Sequence, residues 1–552
     1  MSEELRRHPD APPLFRVQSE SLAEIQRAGG LLGHVLVGEG KTLISLLAGT
    51  VLGCKRTILL TRAALRTQTN RAVAEWAMHY RLSEGLVVVA YSELSRASGT
   101  DLLERLAKGY EPDEICVVAD EAHCLAHPTS ARTQRFLRFM AAHPGVHFVA
   151  MSGTLSNRSI TEYAHLSALA LGDGSPLPRS RIELEAWAEC IDVKGRPAAA
   201  HWLYTDELIR WSGCTPARGK ERIEQARNAL AMRLECTAGV VISHGGDVGA
   251  SLMIRGDAPH VPDAVVRALH KVADGESPDG EIYPSEAHQA MDARRISLGF
   301  YYMWDWTRVG REHPDMEWVE ARRRWHQLVR AELDRASDVH YDSPLLVARE
   351  CERTGPGADL RARIAHRRGR NIYALREAWV RWKAVRGRYR VEDLVITRWI
   401  SDYVIDRVAE LLEKNRRPLI VWYSDRAVGN ALGTLGLPVY GQGTEIPDRK
   451  THDCAASIHV HGTGKNLQAW SDQIIIGSPA SGKSWEQLLG RTHRTGQKAD
   501  TVTATVILPT GALLGAFESA HADARFVQAT QGQRQRILFA DVVDIPERGD
   551  LP

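Results

Sequence analysis

Short apolar runs alternate with amphipathic segments through the first third of the chain. Four of these runs are rich in Val, Ile and Leu and lie at residues 56–61, 86–92, 114–123 and 146–154. Runs of this length and composition are typical of strands that are buried on both faces of a sheet. Because the segments between them have a helical pattern, the sequence predicts a parallel α/β sheet.

This alternation stops in the middle of the chain and resumes near its end. A second α/β pattern begins at residues 417–425 and continues through the segments 457–468 and 472–479. The sequence between the two regions is irregular, helical in pattern and rich in tryptophan. The sequence therefore predicts an α/β protein with two parallel-sheet lobes and a large, mostly helical insertion between them. The predicted bounds are 10–175 for the first lobe, 176–390 for the insertion, 391–540 for the second lobe and 541–552 for a C-terminal tail.

Two features of the predicted insertion each allow two interpretations. Leu375, Trp379 and Trp382 recur at helical spacing, so they share one face. That face either packs in a core, which is the commoner case, or stacks on nucleic-acid bases. Arginines are concentrated between residues 353 and 390, and this run either binds a polyanion or forms a solvated helix face.

Composition narrows the class of protein. The chain has 552 residues, of which 44% are hydrophobic and 25% charged, as in globular proteins of several domains. No apolar run is long enough to span a membrane, and the N-terminus is polar. We therefore expect an intracellular protein, cytoplasmic or nucleoid-associated, with no membrane partner. The eight cysteines include no C-x-x-C pair, so neither a disulfide framework nor a zinc site is predicted.

A glycine-rich loop at residues 38–42 follows a short apolar run at residues 35–37 and precedes a helical pattern. Glycines let a backbone wrap around phosphate oxygens, and a helix N-terminus favours negative charge. In such loops the lysine reaches the terminal phosphates and the following hydroxyl binds Mg²⁺. The complete pattern has a further glycine where this chain has Val35, so a simple glycine-rich turn is the alternative. The loop residues are Gly38, Glu39, Gly40, Lys41 and Thr42.

Two acidic residues supply the partner that a phosphate loop needs. Asp120 and Glu121 follow the apolar run ICVVA, which places them at the end of a buried strand rather than on a surface turn. A carboxylate in this position holds Mg²⁺, and an adjacent glutamate orients or deprotonates the attacking water. The pair therefore indicates an ATP-hydrolysing site.

These motifs together resemble a known family. GEGKT, DEAH at residues 120–123 and SGT at residues 152–154 look like motifs I, II and III of superfamily 2 helicases and translocases. The segment after SGT is similar to that of Swi/Snf-type ATPases. HGTGKNLQ at residues 461–468 resembles motif V, and WEQLLGRTHRTGQ at residues 485–497 resembles motif VI. The resemblance implies that both lobes are RecA-like and that ATP and Mg²⁺ bind in the cleft between them.

The resemblance also implies roles for individual residues. Lys41, Thr42 and Asp120 would hold phosphates and Mg²⁺, and Glu121 would position water. Arg491 and Arg494, three apart on one helix face, would complete the site from the second lobe. Further roles are adenine binding by Gln18, nucleotide binding by Gln487, coupling by His123, Ser152 and Thr154, and nucleic-acid contacts by Arg62, Ser92, Thr463 and Asn466.

A second glycine-rich stretch competes with the first. Residues 477–484, GSPASGKS, match the complete phosphate-loop pattern and include Lys483. The helix that follows them carries the motif VI arginines, however, and the next strand ends without a carboxylate for Mg²⁺. We therefore expect the principal ATP site at Lys41.

The expected function is that of an ATP-dependent motor on nucleic acid. DNA is the expected partner, with double-stranded DNA favoured, and the activity is that of a DNA helicase or a double-stranded DNA translocase. An RNA helicase is one alternative, and a nucleoprotein scaffold switched by ATP is another. Protein partners would bind through the insertion.

Overall fold

The chain folds around two parallel β-sheets and one short antiparallel pair. The structure is a computed structural model. It describes residues 2–552 except 37, 97, 98, 100, 129, 157, 245–247, 281, 284, 334–343, 354–362, 364–371, 448–450 and 463. The prediction of an α/β protein with two parallel sheets is confirmed.

The first sheet contains six strands and the second contains seven. The strands in chain order are β1 (Leu31–His34), β2 (Arg56–Thr61), β3 (Leu86–Ala90), β4 (Ile115–Asp120), β5 (His147–Ser152), β6 (Val240–Ile242), β7 (Ser251–Asp257), β8 (Phe300–Trp304), β9 (Val395–Trp399), β10 (Leu419–Tyr423), β11 (Val439–Tyr440), β12 (Cys454–Ser457), β13 (Asp472–Ile475), β14 (Thr501–Ile507) and β15 (Asp541–Val543).

All pairings within the two large sheets are parallel. The first sheet has the order β3-β2-β4-β5-β1-β6, and the second has the order β11-β12-β10-β13-β14-β7-β15. In the first sheet, β5 therefore separates the strand before the glycine loop from the strand that ends at Asp120. The carboxyl ends of parallel strands meet at one edge, which brings the polar residues after β1, β4 and β5 together.

Helices cover both faces of the sheets. They span Ser2–Leu5, Arg16–Ala28, Lys41–Val51, Arg66–His79, Tyr91–Ser95, Leu102–Ala107, Ala131–Ala142, Thr161–Leu171, Arg181–Ile191, Trp202–Trp211, Gly219–Cys236, Asp263–Ala273, Glu286–Ile296, Met316–Leu333, Pro344–Glu352, Ile372–Val385, Val391–Leu394, Tyr403–Lys414, Arg426–Thr434, Ile458–His461, Gly482–Thr492, Gly511–Gln531 and Arg536–Phe539. Among the described helices, none combines the length and apolar character that crossing a membrane requires.

The sheets extend beyond the bounds predicted for the lobes. β6 and β7 lie within residues 176–390, yet β6 pairs with β1 in the first sheet and β7 pairs with β14 in the second. Helices 181–191, 202–211 and 219–236 pack in the core of the first sheet. β15 lies within the predicted tail, 541–552, and pairs with β7. β6 and β15 have three residues each and β7 alternates in burial, so none of them is a long apolar run.

The tryptophan-rich helix Ile372–Val385 is part of a separate core. Leu375 and Trp379 are almost fully buried, and the Trp379 ring lies 4.8 Å from that of Trp325. Trp382 packs edge-on against Trp318. The packing role is therefore the one that the structure supports for this face. Four of the eleven arginines in the run at residues 353–390 lie outside the described residues: Arg361, Arg367, Arg368 and Arg370.

The helix Gly511–Gln531 connects the two large sheets. Leu513 and Phe517 near its start are buried in the core of the second sheet. Phe526 and Val527 near its end are buried in the core of the first. The same helix packs against helix 219–236 on one side and helix 482–492 on the other. A single continuous element is thus shared by both cores.

Candidate functional site

The glycine-rich loop joins the fully buried strand β1 to the helix Lys41–Val51. Gly38 and Gly40 adopt φ angles of 96° and 79°, which side chains other than glycine rarely tolerate. Gly40 caps the helix, so the helix N-terminus faces the loop. Such an end carries uncompensated amide groups and a partial positive charge, which suits an anion.

Lys41 lies under the loop and connects it to the acidic pair. Its side chain is almost fully buried, and its Nζ donates a hydrogen bond of 3.0 Å to the carbonyl of Val35. The same Nζ lies 3.9 Å from Oε1 of Glu121. The structure therefore brings together the cation and the carboxylate that lie some eighty residues apart in the predicted motifs, at the carboxyl ends of two strands that β5 separates.

Gln18 braces the loop from helix Arg16–Ala28. Its Oε1 accepts a hydrogen bond of 2.8 Å from the amide of Phe15, and its Nε2 donates one of 3.2 Å to the carbonyl of Gly40. A Cβ at Gly40 would lie only 2.1 Å from Nε2 of Gln18. Gln18 is thus beside the loop, where it stabilises the backbone; adenine binding by this residue stays a prediction.

The two acidic residues at the end of β4 have different environments. Asp120 is half-buried, and burial, followed by the charge of Glu121, raises the pKa of its carboxyl to about 7. Burial alone would raise the pKa of Glu121 as well, but Lys41 and His123 hold it well below its ordinary value. Glu121 adopts a left-handed φ of 61°, a conformation that costs energy for a residue with a side chain. Glu121 is therefore ionised at neutral pH and held in a strained position.

A short hydrogen-bonded chain links β4 to β5. Nδ1 of His123 lies 3.1 Å from Oε2 of Glu121 and 2.9 Å from Oγ of Ser152. The Ser152 hydroxyl also accepts a hydrogen bond from the amide of Thr154. Burial lowers the pKa of His123 to about 4, so its imidazole is neutral at pH 7. The three residues predicted to couple the site to other regions are therefore in mutual contact.

Two arginines approach the first sheet from the second: Arg491, on helix 482–492, and Arg494, just after that helix. Arg491 is buried, and its guanidinium donates to the carbonyls of Gln487 and Lys465 at 2.9 and 3.1 Å. Burial lowers the pKa of Arg491 to about 9, and the charge of Glu121 acts in the opposite direction. Arg494 donates a hydrogen bond to Asn466.

Arg494 also lies against the glycine loop. A Cβ at Gly38 would be 3.4 Å from Nη2 of Arg494, so the guanidinium lies within van der Waals contact of that position. Gly38 belongs to the loop that follows β1, whereas Arg494 follows a helix that packs in the core of the second sheet. The candidate site is therefore divided between the two sheets.

The second glycine-rich stretch, residues 477–484, has an environment that differs from that of the loop at residues 38–42. The amide of Gly482, at the start of helix 482–492, donates a hydrogen bond of 3.3 Å to the carboxylate of Asp523. A carboxylate therefore faces the position at which a phosphate would bind. Burial lowers the pKa of Lys483 to about 8, against the opposing effect of Glu121. Lys483 is thus within electrostatic range of Glu121 on the first sheet.

The predicted nucleic-acid contacts are at separate positions. Arg62 follows β2 and lines a cavity of about 440 Å³, together with Gln487. Asn466 lines a different cavity, of about 1240 Å³. Ser92 is at the start of the short helix Tyr91–Ser95 after β3. Thr463 lies outside the described residues.

Several polar residues between the sheets were not found from the sequence. Arg158, six residues after Ser152, pairs with Asp523 at 2.8 Å. His34, at the end of β1, contacts Gln531 at 2.9 Å. His34 gives a sequence signal, as a polar residue within an apolar run, but that signal does not identify its partner; Arg158 lies in a polar stretch and gives none.

No described group of three or more His, Cys, Asp or Glu side chains is placed to hold a metal ion. A scan of the sequence against protein-family models finds no match, and a search of curated proteins finds no matching relative.

Proposed function

We propose that the protein is an ATP-dependent motor on nucleic acid, and that it is a DNA helicase or a double-stranded DNA translocase. The observation that supports this most strongly is the position of Arg494 beside Gly38. It brings a cation of the second sheet to the glycine loop of the first. A site divided in this way lets nucleotide binding and the relative position of the two sheets depend on each other.

The residues of the loop fit an ATP–Mg²⁺ complex. Gly38 and Gly40 adopt the left-handed φ angles that let a loop backbone wrap around phosphate oxygens. Lys41 supplies an ammonium group, and the Thr42 hydroxyl and the Asp120 carboxylate are the oxygen ligands that Mg²⁺ prefers. Bound ATP–Mg²⁺ would supply a phosphoanhydride bond that water can cleave.

The remaining residues have roles that follow from their contacts. Glu121, ionised beside Lys41, would orient the attacking water and accept its proton. His123 would keep Glu121 in place through its Nδ1, and Ser152 would extend this link to the segment after β5. Arg491 and Arg494 would stabilise negative charge on the phosphates, an effect worth about 10³ to 10⁵ in rate for an arginine of this type.

The two large sheets are compatible with two RecA-like lobes, with bounds that follow the strands. The first lobe would extend to β6 and the second would begin at β7. The insertion would then be the segment between β7 and β10, which contains the antiparallel pair β8 and β9 and the tryptophan-rich core. This division places helices 181–191, 202–211 and 219–236 with the first lobe.

A comparison of nucleic acids tests the proposal. ATP hydrolysis is measured with double-stranded DNA, single-stranded DNA and RNA of the same sequence, and double-stranded DNA is expected to stimulate it most. Stimulation by RNA alone would contradict the DNA assignment and favour an RNA helicase. Full activity of Glu121→Gln in the host process would favour a scaffold in which ATP is only a switch.

A further inference from the structure

The cavity of about 440 Å³ lies at the carboxyl ends of three strands of the second sheet; we call it the strand-end cavity. Its walls include residues that directly follow β10, β12 and β13, and Arg62 from the first sheet. The helix Glu286–Ile296, which belongs to the segment between β7 and β10, contributes Arg294 and Arg295. Three arginines from two parts of the chain thus surround one space.

Two buried polar groups in the walls have no hydrogen-bond partner within the described part of the chain. They are Oγ of Ser478 and Nε2 of Gln487, whose residues are 3% and 8% exposed. Buried donors are nearly always hydrogen-bonded in folded proteins, because leaving them without a partner is costly. Both residues line the cavity, so a ligand with acceptor oxygens bound there is the candidate partner for both groups.

The two arginines of helix 286–296 differ in whether they form ion pairs with acidic side chains. Arg295 is paired with Asp292 at 3.0 Å and with Asp425 at 3.1 Å. Arg294 forms no ion pair with any described residue, and its burial beside Arg295 lowers the pKa of its guanidinium. Arg294 therefore contributes a positive charge that no direct ion pair neutralises, although the carboxylate of Asp425, which is paired with Arg295, partly offsets it.

We propose that Arg294, Ser478 and Gln487 bind one phosphodiester group of a nucleic-acid strand that passes through the strand-end cavity. A phosphate offers acceptor oxygens to the hydroxyl and the amide, and its charge complements the guanidinium. A strand fits better than a free phosphate because Arg62, which lines the same cavity, supplies a second cation from the other sheet. The inference rests on the proposed function and gives the insertion a part in nucleic-acid binding.

This inference also changes the role of Gln487. The sequence places it among the nucleotide-binding residues, whereas its side chain lines the strand-end cavity together with Arg62. Its backbone carbonyl meanwhile accepts a hydrogen bond from Arg491. Gln487 therefore lies between the nucleic-acid strand and the arginine that faces the nucleotide site.

Binding of labelled nucleic acid at several salt concentrations tests the inference. The wild type, Arg294→Ala and Arg294→Glu are compared by fluorescence anisotropy, with whichever of a DNA duplex or an RNA of the same sequence binds the wild type more tightly. Arg294→Ala is expected to weaken binding several-fold and to reduce the slope of log affinity against log salt by about 1. Arg294→Glu is expected to weaken it further.

Arg267→Ala is the matched control, because Arg267 is an exposed arginine on the neighbouring helix Asp263–Ala273 and lines no part of this cavity. Unchanged affinity and salt slope in both Arg294 variants would overturn the inference while leaving the proposed function intact. Weaker binding of a fluorescent ATP analogue without weaker binding of nucleic acid would overturn it in favour of a nucleotide phosphate. A wild type that binds neither nucleic acid would contradict the proposed function itself.

Discussion

Arg158 and Asp523 form an ion pair of 2.8 Å that connects the segment after β5 to the helix shared by both cores. Asp523 is 1% exposed and also accepts a hydrogen bond from the amide of Gly482. Arg158 further donates to the carbonyl of Ala480 and to the hydroxyl of Ser519. One guanidinium and one carboxylate thereby fix the start of helix 482–492, which carries Arg491, relative to the first sheet.

Breaking this pair is expected to destabilise the protein. Asp523→Asn leaves Arg158 without its carboxylate partner, and the loss is expected to be about 2–4 kcal/mol, below the upper range for fully buried pairs because Arg158 is partly exposed. Chemical denaturation of Asp523→Asn, Arg158→Met and the double variant measures the coupling energy between the two residues.

The exposed pair Arg181 and Glu185 provides the control. Both side chains are more than half exposed, so Arg181→Met is expected to change stability by less than about 1 kcal/mol. Additive effects of Asp523→Asn and Arg158→Met in the double variant would show that the ion pair does not connect the two sheets energetically.

A side chain at Gly38 is expected to reduce ATP turnover because it strains the backbone of the loop that also contacts Arg494. Gly38→Ala adds a Cβ 3.4 Å from Nη2 of Arg494, at a φ of 96°. Gly53→Ala is the matched control, because Gly53 has a φ of 70° with nothing within 4 Å of its Cβ position. Both substitutions are expected to cost about 1–2 kcal/mol of stability through backbone strain. Steady-state assays should show lower kcat in Gly38→Ala only; equal kcat in both variants would argue against a role in turnover for the conformation of this loop.

His34 is expected to make stability depend on pH. It is fully buried at the end of β1, and burial lowers its pKa to about 4 from an ordinary value of 6.5. Because the folded-state pKa is the lower one, the contribution of His34 is complete above pH 6.5 and is lost as the pH falls towards 4. His34→Leu removes this titration.

Urea denaturation at pH 7 and pH 5 measures the effect. The wild type is expected to lose about 2 kcal/mol more than His34→Leu between these two conditions. His123, which also titrates low, is present in both proteins and cancels from the comparison. An identical pH dependence of the two proteins would mean that His34 is protonated without cost in the fold.

The sequence predicted those parts of the fold that local pattern encodes. β2, β4 and β5 are continuous apolar runs because both faces of the central strands are buried. β7 alternates in burial and β6 has only three residues, so neither has that pattern. Their place in the sheets is set by pairing with distant strands, which local hydrophobicity does not reveal.

The candidate site likewise contains residues that the sequence could predict and residues that it could not. Lys41 and Glu121 could be predicted because each belongs to a short motif with a chemical reason for its residue types. The pair Arg158 and Asp523 is separated by 365 positions, and neither residue belongs to a motif. The unpartnered atoms of Ser478 and Gln487 become visible only when the surrounding side chains are in place.

ATP hydrolysis by Lys41→Ala and Lys483→Ala tests the central claim most directly, because each lysine follows a glycine-rich loop and only one can serve the principal site. We expect Lys41→Ala to reduce kcat by about 10²-fold or more, in line with the loss of a preorganised group that stabilises phosphate charge. Lys483→Ala should keep most of the turnover. Loss of hydrolysis in Lys483→Ala together with its retention in Lys41→Ala would contradict the assignment of the nucleotide site to the loop after β1.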